Sequence, residues 1–382
     1  MTPILIIHQS AELYGSDKTL LLLLSGLDKS QFLPIIILPN DGPLKEALEA
    51  EGIKVYIAPV LKVYRKMFTP ANMLRFLKDI RTSVKFLRGL HKQYNFKVVY
   101  SNTLAVLLGM IFAKKLKLRH IWHVHEIIVH PKPIAAAYPV LLKKFADVII
   151  CNSKATKDNL VQRQEDLENK CVVIYNGLEP VNTTITMTSA EAKESFGFKS
   201  TDVVITLVGR ISRLKGHKWL LNTYVNYLQD TAVKILFVGS PVPGQEYYQD
   251  EVEALIAQHN LQDSVKIAGF TTNLQPAWQA TDIAVMPSTE AESFGLVALE
   301  AMLAKKPVIA SNHGGVAEIV VPGKTGFLVQ PGNEKEFAGA ILQLLNNKEL
   351  MVQYGEQGYS RARAQFSLQN YTNSIAGLLA QA

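Results

Sequence analysis

The sequence predicts an α/β protein made of two Rossmann-like, doubly wound domains facing each other across a cleft. Three observations predict it. A chain of 382 residues is too long for one ordinary core. Short apolar runs closed by Gly, Pro, Asn or Asp alternate with helically periodic segments, the pattern of a parallel sheet covered on both faces. That alternation lapses in the Thr- and Ser-rich stretch 178–201 and then starts afresh. Residues 1–177 are therefore read as the first domain and 178–365 as the second, with the segment 366–382 expected to pack back onto the first.

In the first half, ILIIHQ (4–9) reads as a strand, SAELYGSDK as a loop and Thr19–Leu27 as a leucine-rich helix. PIIILPN (34–40) is a strand stopped by Asp41-Gly42-Pro43, Leu44–Glu51 a helix and Ile53–Ala58 a strand. Asn72–Lys92 is a long helix, with Leu74, Leu77, Ile80, Val84, Leu87 and Leu90 on one apolar face. Arg75, Lys78, Arg81, Lys85, Arg88 and Lys92 lie on or beside the other. Val98–Ser101, His120–His125, Val148–Cys151 and Val172–Tyr175 complete the strands before Asn176-Gly177.

The second run opens with a short helix, Ser189–Phe196, and the strand VVITLVGR (203–210). It continues with helix His217–Leu228, strand 233–240, helix Glu246–His259, strand 265–269, helix Asn273–Ala280 and strand 283–288. A helix beginning near Phe294 follows, then strands 306–311 and 326–331. The helices Glu334–Asn346 and Leu350–Gln365 and a final segment, Leu368–Leu379, end the chain.

Composition narrows the function classes. A 48% hydrophobic share with 19% charge is globular. Apolar runs such as Leu20–Leu24 and Ile134–Leu142 are too short or interrupted to span a membrane, and MTPILIIHQ lacks the basic start of a secretory leader. Cys151 and Cys171 have neither metal-ligand nor redox spacing, which favours a reducing cytoplasm. Between Lys54 and Lys97 there are 11 basic residues and a single acid, Asp79. That face is either solvated or applied to an anionic membrane, as at the inner face of the plasma membrane. Nothing in the pattern calls for nucleic acid.

Four loops of the second half follow strand ends, where a doubly wound sheet takes its ligands. Gly209-Arg210 and Lys215-Gly216 offer a planar fork and a point charge, a pair suited to a diphosphate. Gly269-Phe270 offers backbone groups and a ring to a base. The stretch MPSTEAESFGLVALE (286–300) places Glu292 just before a helix start and Glu300 in its second turn. A helix N-terminus suits a phosphate, although acidic residues there also simply complement the dipole. Finally, the glycines of His313-Gly314-Gly315 permit close backbone approach.

The ordered set VGRISRLKG, IAGF, MPSTEAESFGLVALEAMLAKKPVIAS, HGGVAEIV and GKTGFLV resembles the retaining, nucleotide-sugar-dependent GT-B glycosyltransferases of glycosyltransferase family 4. The resemblance covers most of residues 203–330; the first half matches only loosely. It implies that Arg210 and Lys215 bind the diphosphate, that Glu292 contacts the donor sugar, and that Glu300 holds the ribose. Around Ser293, the backbone N–H groups of Phe294, Gly295 and Leu296 would meet the distal phosphate, and Gly269 and Phe270 the base. His125, in WHVHEI, would stand at the reacting face of the sugar, whereas His123 reads as structural. The family often has a Gly-Gly pair in its first loop; this chain has Tyr14-Gly15-Ser16, and Gly15 and Ser16 are candidates to line the cleft. GSDKT lacks the upstream glycine of a phosphate-binding P-loop.

No D-x-D triplet or metal-ligand spacing occurs, so the expectation is a metal-independent enzyme with no cofactor beyond a UDP- or GDP-sugar co-substrate. The resemblance implies retaining transfer of a hexosyl or N-acetylhexosaminyl group to a cell-surface polysaccharide or lipid-linked glycan. A sugar-nucleotide epimerase of the same architecture, or a silent sugar-nucleotide-binding subunit, are the alternatives.

Overall fold

The computed structural model describes residues 1–62, 69–180 and 187–381. Part of the basic stretch before the long helix, and part of the Thr-rich stretch after residue 178, lie outside them. The chain divides into two compact units, Met1–Gly177 with Leu368–Ala382, and Leu178–Ser367.

The first unit holds seven strands: β1 Thr2–His8, β2 Phe32–Leu38, β3 Lys54–Ile57, β4 Val98–Asn102, β5 Arg119–Val124, β6 Val148–Cys151 and β7 Cys171–Val173. They form one parallel sheet in the order β3-β2-β1-β4-β5-β6-β7. Alternation along β1 shows that both faces are covered. Ile4 and Ile6 pack with Leu20, Leu23 and Leu24 on one side. Leu5 and Ile7 pack with Val84, Leu87 and Phe112 on the other. The terminal helix Leu368–Leu379 adds Tyr371, Ile375 and Leu379 to the first of these layers. There Arg119 donates to the Leu378 carbonyl at 2.8 Å.

The second unit has six parallel strands: β8 Val203–Val208, β9 Val233–Val238, β10 Val265–Ala268, β11 Ile283–Met286, β12 Val308–Ser311 and β13 Gly326–Val329. Their order is β10-β9-β8-β11-β12-β13. Its core joins Ile205, Leu207 and Phe237 of the sheet to Trp219, Tyr224, Phe337 and Ile341 of the helices.

Three local expectations change. The first helix begins at Gly15, four residues before the expected start at Thr19. Asp17 makes the difference, because its carboxylate accepts the Tyr14 N–H at 3.0 Å and closes the first turn. The helix after β11 begins at Leu296, where Gly295 in a left-handed conformation delays it. The long helix runs from Pro70 to Tyr94, and its apolar stripe is only partly buried. Val84, Leu87 and Leu90 lie in the core, but Leu74 is 70% exposed and Leu77 52%. At 25 residues the helix is about 37 Å long, more than the strands beneath it can cover.

Candidate functional site

In an open parallel sheet the ligand crevice lies beyond the carboxyl ends of the two strands where the order reverses. In the second unit those strands are β8 and β11. The chain leaving β8 supplies Gly209, Arg210 and then Lys215; the chain leaving β11 supplies Ser288 to Glu292. Lys215 donates to Oε1 of Glu292 at 2.8 Å, and the Ser288 hydroxyl donates to the same oxygen. Burial alone would raise the Glu292 pKa. The Lys215 charge and hydrogen bond, with that of Ser288, outweigh burial and hold it below the ordinary glutamate value. Glu292 is thus an ionised, oriented carboxylate at neutral pH.

Two glycines make this closeness possible. Gly216 has φ +76, and a Cβ there would lie 1.7 Å from the Pro287 carbonyl oxygen, so only glycine lets the Lys215 loop lie on the β11 loop. Gly314 has φ +67, and its Cβ would stand 2.3 Å from the Glu292 carbonyl oxygen. The Gly315 N–H donates to that oxygen at 2.8 Å, so the loop after β12 braces Glu292 from behind. His313, half-buried, has its Nε2 shielded without a partner among the described residues. Burial lowers its pKa, against a Ser288 backbone hydrogen bond and the charges of Glu292 and Glu290.

The remaining candidates of this unit are placed as follows. Arg210 is exposed at the β8 end. Ser293 is half-buried and Phe294 buried, and Gly295 leads into helix Leu296–Leu303, whose start no side chain caps. Glu300 is half-buried in its second turn. After β10, Gly269 and Phe270 are exposed, and the Phe270 N–H donates to Ser240 Oγ at 3.0 Å. Glu290 turns outward to an exposed ion pair with Arg213.

The first unit carries a second cluster at its own order reversal, between β1 and β4. His8 ends β1, Asn102 ends β4, and His125 follows β5. His8 Nε2 lies 2.5 Å from Asp17 Oδ1, which also accepts from Ser10 Oγ at 2.5 Å. Asn102 Nδ2 is 2.9 Å from His8 Nδ1, and Asn102 Oδ1 is 2.9 Å from His125 Nε2. Burial, then the nearby His8, hold the His125 pKa down to about 3 against the pull of Asp17. Its ring is therefore neutral at physiological pH. His123 is fully buried and meets the Tyr100 hydroxyl through Nδ1 at 2.6 Å, in keeping with a structural role. Gly15, exposed, and Ser16, half-buried, sit in the turn beside Asp17.

Sequence reasoning had singled out His125 and the Lys215 and Glu292 loops. It missed Ser288, and it missed His8, Asp17 and Asn102, which are brought together from positions up to 94 residues apart. The available signal was topological: His8, Asn102 and Ser288 lie at or just beyond the end of a strand flanking an order reversal, and Asp17 lies in the first turn of the helix that follows β1. Among the described residues, no group of three or more His, Cys, Asp or Glu is placed to hold a metal ion.

Comparison with known proteins shows the family. Residues 188–361 match the model of glycosyl transferases group 1, and residues 15–181 match that of glycosyltransferase family 4. The two matches leave out only the chain's ends and a few residues between them. The chain belongs to the GT-B glycosyltransferases.

An uncharacterised glycosyltransferase of Methanocaldococcus jannaschii is 29% identical over 82% of this chain and 81% of its own length. A Campylobacter jejuni N-acetylgalactosaminyltransferase acting on a diphospho-undecaprenol-linked sugar is 28% identical over 59% of this chain and 58% of its own length. The crystal structure of Anabaena HepE with UDP and glucose superposes with a TM-score of 0.86, at 23% identity and full coverage of both chains. For a GT-B glycosyltransferase, the second unit's crevice falls within the group 1 match and the His8 cluster largely within the family 4 match.

Proposed function

We propose that this glycosyltransferase moves a hexosyl or N-acetylhexosaminyl group from a UDP- or GDP-sugar to a polysaccharide or lipid-linked glycan, with retention and without a metal. The observation that carries this reading is the Lys215–Glu292–Ser288 arrangement at the β8/β11 reversal, beside an uncapped helix start. Arg210, Lys215 and the N–H groups around Phe294, Gly295 and Leu296 bind and neutralise the diphosphate. Glu292 receives donor-sugar hydroxyls, Glu300 the ribose, and Gly269 with Phe270 the base. His125 serves the reacting sugar. The bond from the anomeric carbon to the phosphate oxygen breaks as the acceptor oxygen bonds to that carbon on the same face. The acceptor's proton passes to the departing phosphate. Neighbouring proteins support the donor and acceptor classes: HepE was crystallised with UDP-glucose, and the Campylobacter relative is named for a lipid-diphosphate acceptor.

The test is a thermal-shift screen of UDP- and GDP-sugars, followed by NMR of the product formed from the best donor. The reading expects one nucleotide class to raise the melting temperature, and the product to keep the donor's anomeric configuration. An inverted product would overturn retention, and no stabilisation by any nucleotide sugar would overturn the donor assignment.

The long helix supports contact with an anionic membrane. Met73, Leu74 and Leu77 are exposed on the same turns as exposed Arg75, Lys78 and Arg81, so apolar insertion and charge attraction would act together. No helix among the described residues is long and apolar enough to cross a membrane. Reversing the charges of Arg81, Lys85 and Arg88 is expected to reduce co-sedimentation with phosphatidylglycerol vesicles at unchanged melting temperature. Equal sedimentation would return the face to plain solvent exposure.

A further inference from the structure

His125 sits at the end of a buried chain of hydrogen bonds whose direction can be worked out from its far end. The Asp17 carboxylate only accepts, and it already takes the Ser10 hydroxyl and the Tyr14 N–H. Across 2.5 Å, His8 Nε2 must therefore carry the proton. In a neutral ring that leaves His8 Nδ1 as an acceptor, so the Asn102 amide donates to it at 2.9 Å. The Asn102 oxygen then faces His125 Nε2 at 2.9 Å and can only accept, so His125 Nε2 carries the proton. His125 Nδ1 is left with a bare lone pair, shielded from water and without a partner among the described residues.

The reversed chain is the alternative. It needs a doubly protonated His8, a turned Asn102 amide and a proton on His125 Nδ1. That proton would be a shielded donor with nothing to receive it, a rarer state in folded proteins than an under-used acceptor. The neighbouring groups give it no outlet. The Glu126 carboxylate accepts the His125 and Leu104 backbone N–H groups. His123, whose ring centroid is 3.9 Å away, is engaged with Tyr100 through Nδ1.

We propose that Asp17, His8 and Asn102 are positioning residues, a one-way hydrogen-bond chain that fixes His125 as its Nε2–H tautomer and keeps Nδ1 as a dry acceptor for a substrate hydroxyl. This rests on the glycosyltransferase reading for the identity of the hydroxyl, but not for the chain itself. The chain costs an unmet acceptor in the free protein, and a ligand hydroxyl restores the missing bond. His8, Asp17 and Asn102 need never touch the substrate.

The test is long-range 1H–15N NMR of the full chain labelled with 15N-histidine at pH 7.5, with His125 assigned by the signals lost in His125→Gln. The expected spectrum shows His125 protonated at Nε2 only and His8 likewise. A proton on His125 Nδ1, or on both nitrogens of His8, overturns the proposal. In Asn102→Leu, His125 is expected to show mixed tautomers, and turnover to fall on the order of 10²-fold with donor KM changed far less. An unchanged tautomer in that variant also overturns the proposal; should it fail to fold, the wild-type spectrum still decides. The expected tautomer in a protein that binds no nucleotide sugar would leave the chain standing and overturn the donor reading instead.

Discussion

Lys215→Ala is expected to lower turnover by about 10²-fold or more, and Arg210→Ala by a similar factor. Both cations are assigned to the charge that gathers on the leaving diphosphate, where a fixed donor in a shielded site contributes several kcal/mol. Lys215 has a further role that Arg210 lacks, because its ammonium also holds Glu292 at 2.8 Å. Removing it leaves a half-buried carboxylate held by the Ser288 hydroxyl. Lys215→Ala and Glu292→Gln should therefore combine less than additively, while Arg210→Ala and Glu292→Gln should come closer to additivity. Steady-state kinetics of the single and double variants measure this. Near-wild-type turnover in both single variants would contradict the diphosphate assignment.

The second large effect is acid sensitivity. Burial holds His120 down to about 4, and it holds His125 and His217 down to about 3, while His123 also lies well below the usual histidine value. These rings are neutral in the fold, whereas the unfolded chain takes up their protons below about 6.5. Their contribution is complete above that pH and is lost as pH falls toward their folded values. At about 1.4 kcal/mol per unit, His120 alone accounts for roughly 3 kcal/mol. Glu126 works the other way: burial, against backbone hydrogen bonds from Leu104 and His125, pushes it up to about 7. It favours the fold below 4.5, and that benefit is lost as pH rises through 7. The histidines outnumber it, so the melting temperature is expected to fall by about 5–10 °C between pH 7 and pH 5. Glu126→Gln should raise it at pH 8 and steepen the fall. Calorimetry across this range is the measurement, and a flat profile would contradict the buried, neutral state of these rings.

Much of this was legible in the sequence because parallel sheets write themselves as continuous apolar runs. VVITLVGR and VKILFVGS read as buried strands ending in glycine, and the structure places them as β8 and β9. The Lys215 and Glu292 loops were legible as sets of basic, acidic and glycine residues after strands. The pairing of Lys215 with Glu292 was not, because it depends on Gly216 allowing one loop to lie against Pro287. The His8–Asp17–Asn102–His125 chain was hidden for a related reason. Strand order brings its members together, and periodicity within a segment carries no record of strand order. The exposure of Leu74 and Leu77 escaped notice because a helical repeat shows which residues share a face, not how far the sheet beneath that face extends.

The central claim is that the β8/β11 crevice seats a nucleotide diphosphate between Arg210, Lys215 and the start of helix Leu296–Leu303. Its most direct test is a calorimetric titration of UDP and of GDP into the wild-type protein and into Lys215→Ala. The account predicts saturable binding of one nucleotide to the wild type, weakened at least tenfold in the variant, as expected for loss of a charge-assisted contact. Equal affinity for wild type and variant, or no binding of either nucleotide, would contradict it.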